Sequence, residues 1–175
     1  FSIEATPEQV DLFQGKIDFA VRHCPKPDDR FEAIELYPEY FLPVCAPSFA
    51  ERYGLGPDTR DLSRVPLAYL GMARSDPGFL DWPGWSDATG VSIDQGEGRQ
   101  RFSGYGSNIR FAQAGLCLAL GNPVHMFPLI DSGALIAPLG PETILRARWS
   151  YWLVRVRAAA ISPVQIAFRD WLVAQ

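Results

Sequence analysis

Short apolar runs, each followed within a few residues by a helix-start signal, recur along this chain and point it toward an α/β fold. Gly121-Asn122-Pro123 follows the buried-looking run Leu116–Leu120. Asn at an N-cap offers its side-chain oxygen to the orphan N–H groups of the first turn, and Pro at the first helical position has no N–H to waste. Ser162-Pro163-Val164-Gln165 is a capping-box sequence after the aromatic and β-branched run Trp149–Val156. Val164, Ala167, Phe168, Trp171 and Leu172 then form one apolar stripe at helical spacing. Near the start, Thr6-Pro7-Glu8-Gln9 reads as a third helix start and Gly15 as its C-cap, with Val10 and Phe13 on one face. That helix lies between an extended run at 1–6 and a strand at Ile17–His23, an order that predicts a parallel βαβ unit.

The remaining pattern is coarser. Phe31–Tyr37 and Tyr40–Cys45 read as strands separated by Pro38, and Pro43 and Pro47 mark an edge or crossing connection. Residues 48–53 and 58–64 read as short helices, Pro66–Gly71 and Arg99–Ser103 as strands. Gly104–Asn108 is a small-residue turn before a helix at 109–114, and Leu135–Pro138 a short extended piece. Residues 72–98 give no clear pattern, though a core role is favoured for Trp82-Pro83-Gly84-Trp85. Six to eight strands alternating with short helices give an α/β class.

Charge and composition exclude several functions. The 175 residues carry a formal net charge of −4 with no basic stripe, which is poorly suited to holding a phosphate backbone. No apolar run reaches the length of a membrane span. The first six residues lack the basic start and long apolar core of a signal peptide. Three cysteines, Cys24, Cys45 and Cys117, with no Cys-x-x-Cys pair, fit thiols in a reducing cytoplasm better than zinc or a disulfide framework. No Gly-x-Ser-x-Gly elbow, His-Glu-x-x-His motif or P-loop is present. Ile109 occupies the third glycine position of a dinucleotide fingerprint begun by Gly104 and Gly106. The sequence therefore implies no cofactor and no metal, and His23 and His125 stand without a recognisable catalytic frame.

Polar residues cluster at two helix starts. Ser103, Tyr105, Gly106, Ser107 and Asn122 could offer hydroxyl, amide and backbone N–H donors to an anion. Arg22, at the end of its strand, could grip a carboxylate or phosphate, with His23 beside it. Tyr151 combines an apolar ring with a polar tip, and Val44 lies in the crossing segment. For each residue alone, ordinary capping or core packing is an equal or better account.

The order of several segments gives a further lead. Val10-Asp11-Leu12 with Gly15–Arg22, Phe41–Pro47, Asp61-Leu62 with Pro66-Leu67, Phe102–Gly121, Asp131–Leu139, Tyr151–Val154 and Phe168–Leu172 resemble, in sequence order, the effector domain of LysR-type transcriptional regulators. The likeness is greatest to the branch that includes glycine-cleavage activators and β-lactamase regulators. It implies a type 2 periplasmic-binding-protein-like α/β fold with two lobes and a ligand cleft. It also implies that the family's first strand and helix, and its winged-helix DNA-binding domain, lie outside the sequence. On this resemblance residues 1–43 and 158–175 form lobe I and 44–157 lobe II. A small anionic or zwitterionic metabolite would bind in the cleft of a bacterial, cytoplasmic regulator that pairs as a homodimer or tetramer and touches DNA only through the missing domain. Rival readings are an extracytoplasmic solute-binding protein, an enzyme on the same scaffold, or an incomplete domain that binds nothing.

Overall fold

The computed structural model describes residues 2–6, 10–14, 17–70, 80–94 and 100–175. They form β1 (Ala20–Cys24), β2 (Phe31–Val44), α1 (Pro47–Tyr53), β3 (Asp61–Leu62), β4 (Leu67–Leu70), α2 (Trp82–Thr89), β5 (Ser92–Ile93) and β6 (Gln100–Phe102). α3 (Tyr105–Gln113), β7 (Leu118–Gly121), α4 (Pro123–Asp131), β8 (Leu145–Val156) and α5 (Pro163–Val173) complete the order. The chain divides into two compact units. Unit 1 is Phe1–Pro38 with Trp149–Gln175, and unit 2 is Glu39–Arg148.

In unit 2 the strands run β2-β7-β4-β6. β4 is parallel to both β6 and β7, with Ala68 opposite Gln100 and Ala119, while β2 is antiparallel to β7. The period-2 alternation of these strands places apolar side chains on both faces of the sheet. Phe41, Cys45, Leu67, Tyr69, Leu118 and Leu120 belong to one buried cluster, with Phe49, Trp82 and Trp85. Leu42, Val44, Ala68, Cys117 and Ala119 belong to another, with Ile109, Ala112 and Met126. Trp82 and Trp85 are core residues. Each ring is packed away, and each indole N–H donates to a buried carbonyl, of Ala68 and Thr143 respectively, at 2.8 Å.

In unit 1, β8 lies between β1 and β2, and β1 is antiparallel to it, His23 opposite Tyr151. Leu12, Phe31 and Val154 are its buried apolar residues. Arg155, itself buried, is held by Glu32 at 2.5 Å and by the carbonyl of Ala159.

Several expectations change. Residues 2–6 form no strand, Leu12–Gln14 is a single 3-10 turn, and β1 pairs antiparallel, so the anticipated parallel unit is absent among the described residues. The capping sequence at 7–9 and Gly15 lie outside those residues. Pro38 does not split β2, and Pro43 sits inside it opposite Leu120, because the residues on either side supply the pairing. Residues 58–64 are turns around β3. Thr59 and Asp61 accept backbone N–H groups of Gly56 and Ser63, and these local bonds displace a helix. α3 begins at Tyr105, within the expected turn. The joins between units fall at 38/39 and 148/149, whereas 43/44 and 157/158 were expected. Strand pairing sets the shift: Leu42–Val44 pair with β7 in unit 2, and Ser150–Val154 with β1 in unit 1. The capping box at Ser162 forms as read, but Val164 and Trp171 of the stripe are 78% and 56% exposed. Helical spacing fixes which residues share a face, not what covers it.

Gly121, at the end of β7, has no room for a Cβ. A Cβ there would lie 1.9 Å from Met126 Cε and 3.1 Å from Val44 Cγ2. Gly121→Ala should destabilise the protein by about 1–3 kcal/mol in urea unfolding, the usual cost of overpacking. Combined with Met126→Ala, itself destabilising through the cavity it leaves, the two losses should be less than additive, because the truncation removes the nearer clash.

Candidate functional site

β6 and β7 run parallel to β4, so the helices that follow them, α3 and α4, start on the same edge of the unit 2 sheet. The carboxyl ends of parallel strands are where open α/β sheets present helix N-termini to ligands. The Tyr105 hydroxyl, in the first turn of α3, accepts the backbone N–H of Asn122 at 2.5 Å and ties the two starts together. Burial pushes the Tyr105 phenol up to about 12; the hydrogen bond with Asn122 opposes the shift and the nearby Glu39 charge adds to it.

The two helix starts differ. Asn122 is buried and fully occupied: Oδ1 accepts from Val124 N–H at 3.0 Å, and Nδ2 donates to Glu39 at 3.2 Å. The carbonyl of Asn122 takes the N–H of His125, and Pro123 has no N–H. α4 is thus satisfied from within. α3 starts at Gly104, which has no side chain to cap with, and the N–H groups of Tyr105, Gly106 and Ser107 precede the first helical acceptor. A Cβ at Gly104 or Gly106 would meet nothing within 4 Å, so there is open space beside this turn. Ser103, Gly106 and Ser107 are exposed around it.

The other sequence candidates fall elsewhere. Val44 is fully buried, so its side chain belongs to the core. In unit 1, Arg22 donates to the Val10 carbonyl at 2.6 Å and lies 5.3 Å from the centroid of the Phe31 ring. His23 stacks on Tyr151 at 4.7 Å and meets Trp149 edge-on, while Tyr37 packs against the same Tyr151 ring at 4.6 Å. His23 and Tyr151 thus share one half-buried aromatic group, whose members come from β1, β2 and β8. His125 is exposed, with its ring 5.9 Å from that of Tyr105.

Two polar residues escaped the sequence reading. Glu39 is a buried acid in an otherwise apolar stretch of β2, and Asn108 is buried on the sheet-facing side of α3. Each had a signal, a polar residue in a position where the local period calls for an apolar one. Among the described residues no group of His, Cys, Asp or Glu could hold a metal ion, and no helix is long and apolar enough to cross a membrane.

Cys24, Cys45 and Cys117 are free thiols. Burial pushes Cys45 up to about 11 and Cys117 up to about 12, leaving both as protonated small hydrophobes.

Parallel strands that deliver helix starts to one edge make this an α/β domain with an open sheet. A family model described as the LysR substrate binding domain matches residues 1–175, and the chain belongs to that family. It is 28% identical over 168 residues to the HTH-type transcriptional activator AmpR of Yersinia enterocolitica, covering 95% of this chain and 53% of that protein. Over 176 residues it is 26% identical to the glycine cleavage system transcriptional activator of Escherichia coli K12, covering 99% and 54%. The chain spans about half the length of the curated relatives it matches. The effector domain of AmpR from Pseudomonas aeruginosa superimposes with a TM-score of 0.69 at 23% identity, covering 95% of this chain and 75% of that one. The AmpR effector binding domain from Citrobacter freundii gives 0.67 at 22%, covering 95% and 78%. The likeness confirms a LysR-type effector-domain fold.

Tyr105→Phe should leave the buried Asn122 N–H without an acceptor and cost about 1–3 kcal/mol in urea unfolding. For Cys45 and Cys117 the folded values lie above the ordinary thiol value. The native state therefore keeps protons that the unfolded state loses, and stability should fall as pH rises from about 9 to 12. Cys117→Ala should flatten that fall in unfolding curves measured across the same range.

Proposed function

We propose that this domain senses a small anionic or zwitterionic metabolite through the first turn of α3, with Ser103, Tyr105, Gly106 and Ser107 as its contacts. The observation that supports this most is the contrast between the two helix starts, α4 capped from within and α3 uncapped beside open space. Backbone N–H groups at such a turn stabilise a carboxylate or phosphate through their own hydrogen bonds and the helix dipole. Asn122 acts as a positioning residue, since its polar groups are consumed by α4, Glu39 and Tyr105. In unit 1, the His23–Tyr151 pair is a second candidate surface; Arg22, the next residue of β1, points to the opposite face, toward Val10 and Phe31.

The chain is a receptor and not an enzyme, in keeping with relatives that are transcriptional regulators. Those relatives also favour this reading over a solute-binding protein. In the full-length, cytoplasmic protein, bound metabolite shifts an equilibrium between conformations of a homodimer or tetramer, and a separate DNA-binding domain carries the change to an operator. A ligand moves such an equilibrium only through differential affinity for its states.

The test is a thermal-shift screen of bacterial metabolites followed by calorimetry, with Gly106→Leu as the control. Leu fills open space and is the better helix former by several tenths of a kcal/mol, so the unliganded Tm should hold or rise. Affinity for the metabolite should drop at least tenfold. A Gly106→Leu protein that binds the hit unchanged would remove α3 from the site.

A further inference from the structure

Glu39 is the first residue of unit 2, directly after the join at 38/39. The register of β2 with β7 ends at Leu42 opposite Gly121, so Glu39 lies beyond the last pair of that ladder. It is buried all the same. A buried carboxylate is costly unless its partners satisfy it, and an apolar residue would continue the run Phe41–Val44 without that cost. What the carboxylate makes there is an attachment. It accepts Asn122 Nδ2 at 3.2 Å and ties β2 to the start of α4, on the side of the ladder nearer the join.

Asn122 is where two such attachments meet. Its side chain donates to Glu39, and its backbone N–H donates to the Tyr105 hydroxyl at 2.5 Å. Its Oδ1 is held by the N–H of Val124 at 3.0 Å. A residue fixed at three atoms inside a core cannot turn to ease one bond without lengthening another. Burial also removes water as a substitute partner, and hydrogen bonds in a low-dielectric setting polarise one another. The charge of Glu39 is felt at Tyr105 as well, where it helps to push the phenol up. Tyr105 in turn belongs to the first turn of α3. A displacement at either end of this group therefore reaches the other.

We infer that Tyr105, Asn122 and Glu39 form a relay that couples the first turn of α3 to the point where the chain passes from unit 1 to unit 2, with Glu39 as the positioning residue at the join. Its consequence for sensing rests on the receptor site proposed above. A molecule resting on the N–H groups of that turn acts on the join through these three residues. By reciprocity, a change at the join alters the affinity of the turn.

The relay is tested on the purified protein with nothing added, by hydrogen exchange followed in NMR spectra. Each variant breaks one end and is read at the other. Rates are divided by that of the Leu118 N–H, which donates to the Pro66 carbonyl at 2.9 Å in the same sheet, so that general loosening cancels. In Glu39→Leu the Asn122 backbone N–H, bonded to Tyr105, should exchange at least tenfold faster. In Tyr105→Phe the Asn122 Nδ2 protons, bonded to Glu39, should exchange several-fold faster. The amide resonances of Tyr37 and Tyr40, on the two sides of the join, should shift in the same variant. Glu39→Gln keeps an acceptor oxygen and should stay within about twofold of the parent. Tyr105→Phe and Glu39→Gln carry the test if Glu39→Leu does not fold. An Asn122 rate unchanged in Glu39→Leu would overturn the inference, as would Nδ2 protons and Tyr37 and Tyr40 resonances unmoved in Tyr105→Phe. Equal acceleration in Glu39→Gln and Glu39→Leu would also overturn it, because the acceptor bond would then transmit nothing. The receptor site stands apart from all these outcomes, since Gly106→Leu and the metabolite screen judge it separately.

Discussion

The unit 2 sheet is buried on both faces, and nearly every feature of the candidate site follows from that. A sheet covered on both sides has alternate residues of each strand in opposite cores, so Phe41–Val44 of β2, β4 and β7 carry mainly apolar side chains. Parallel strands in such a sheet need helical crossovers, and each crossover begins at a carboxyl strand end. The start of α3 is where it is because β6 is parallel to β4. The start of α4 is where it is because β7 is parallel to β4 as well. The polar atoms at this edge are then a by-product of topology, and their capping decides which remain open to a ligand.

Capping separates the two starts by simple means. Asn122 closes α4 with its own side chain, and Tyr105 takes the remaining N–H of that residue. Gly104 cannot do the same for α3. Glycine at an N-cap is tolerated at small cost, so the domain gains an uncapped turn without losing the helix. Gly121 serves the same edge differently: only a residue without a Cβ lets Met126 of α4 pack close to the end of β7. Close packing of α4 in turn keeps Asn122 within reach of Tyr105 and Glu39.

Unit 1 is held by fewer apolar groups and more polar ones. Its buried cluster is small, and Arg155 links Glu32 of β2 to the carbonyl of Ala159 beyond β8. Arg169 of α5 approaches the same Glu32 at 3.5 Å. A charge buried to this degree is tolerated only because its partners satisfy it. The aromatic group of His23, Tyr37, Trp149 and Tyr151 adds ring contacts where aliphatic packing is thin.

The sequence by itself determined the α/β class, the caps at Asn122 and Ser162, a helix at 48–53 and the strands that contain residues 20–23, 67–70 and 149–156. These are local matters, fixed by periodicity, side-chain hydrogen bonds to neighbouring backbone, and proline stereochemistry. The ordered set of weak segments likewise placed the chain in its family, because order along the chain is itself sequence information. Tertiary structure alone decided that Pro38 and Pro43 remain within one strand, since pairing on either side outweighs a missing N–H. It decided that Val44 points into a core and that most of the α5 stripe stays exposed, because period gives a face but no partner. It also brought Glu39, Tyr105 and Asn122 together at one sheet edge across 83 positions of separation between Glu39 and Asn122. No local rule reaches that far; only the closing of β7 between β2 and β4 does.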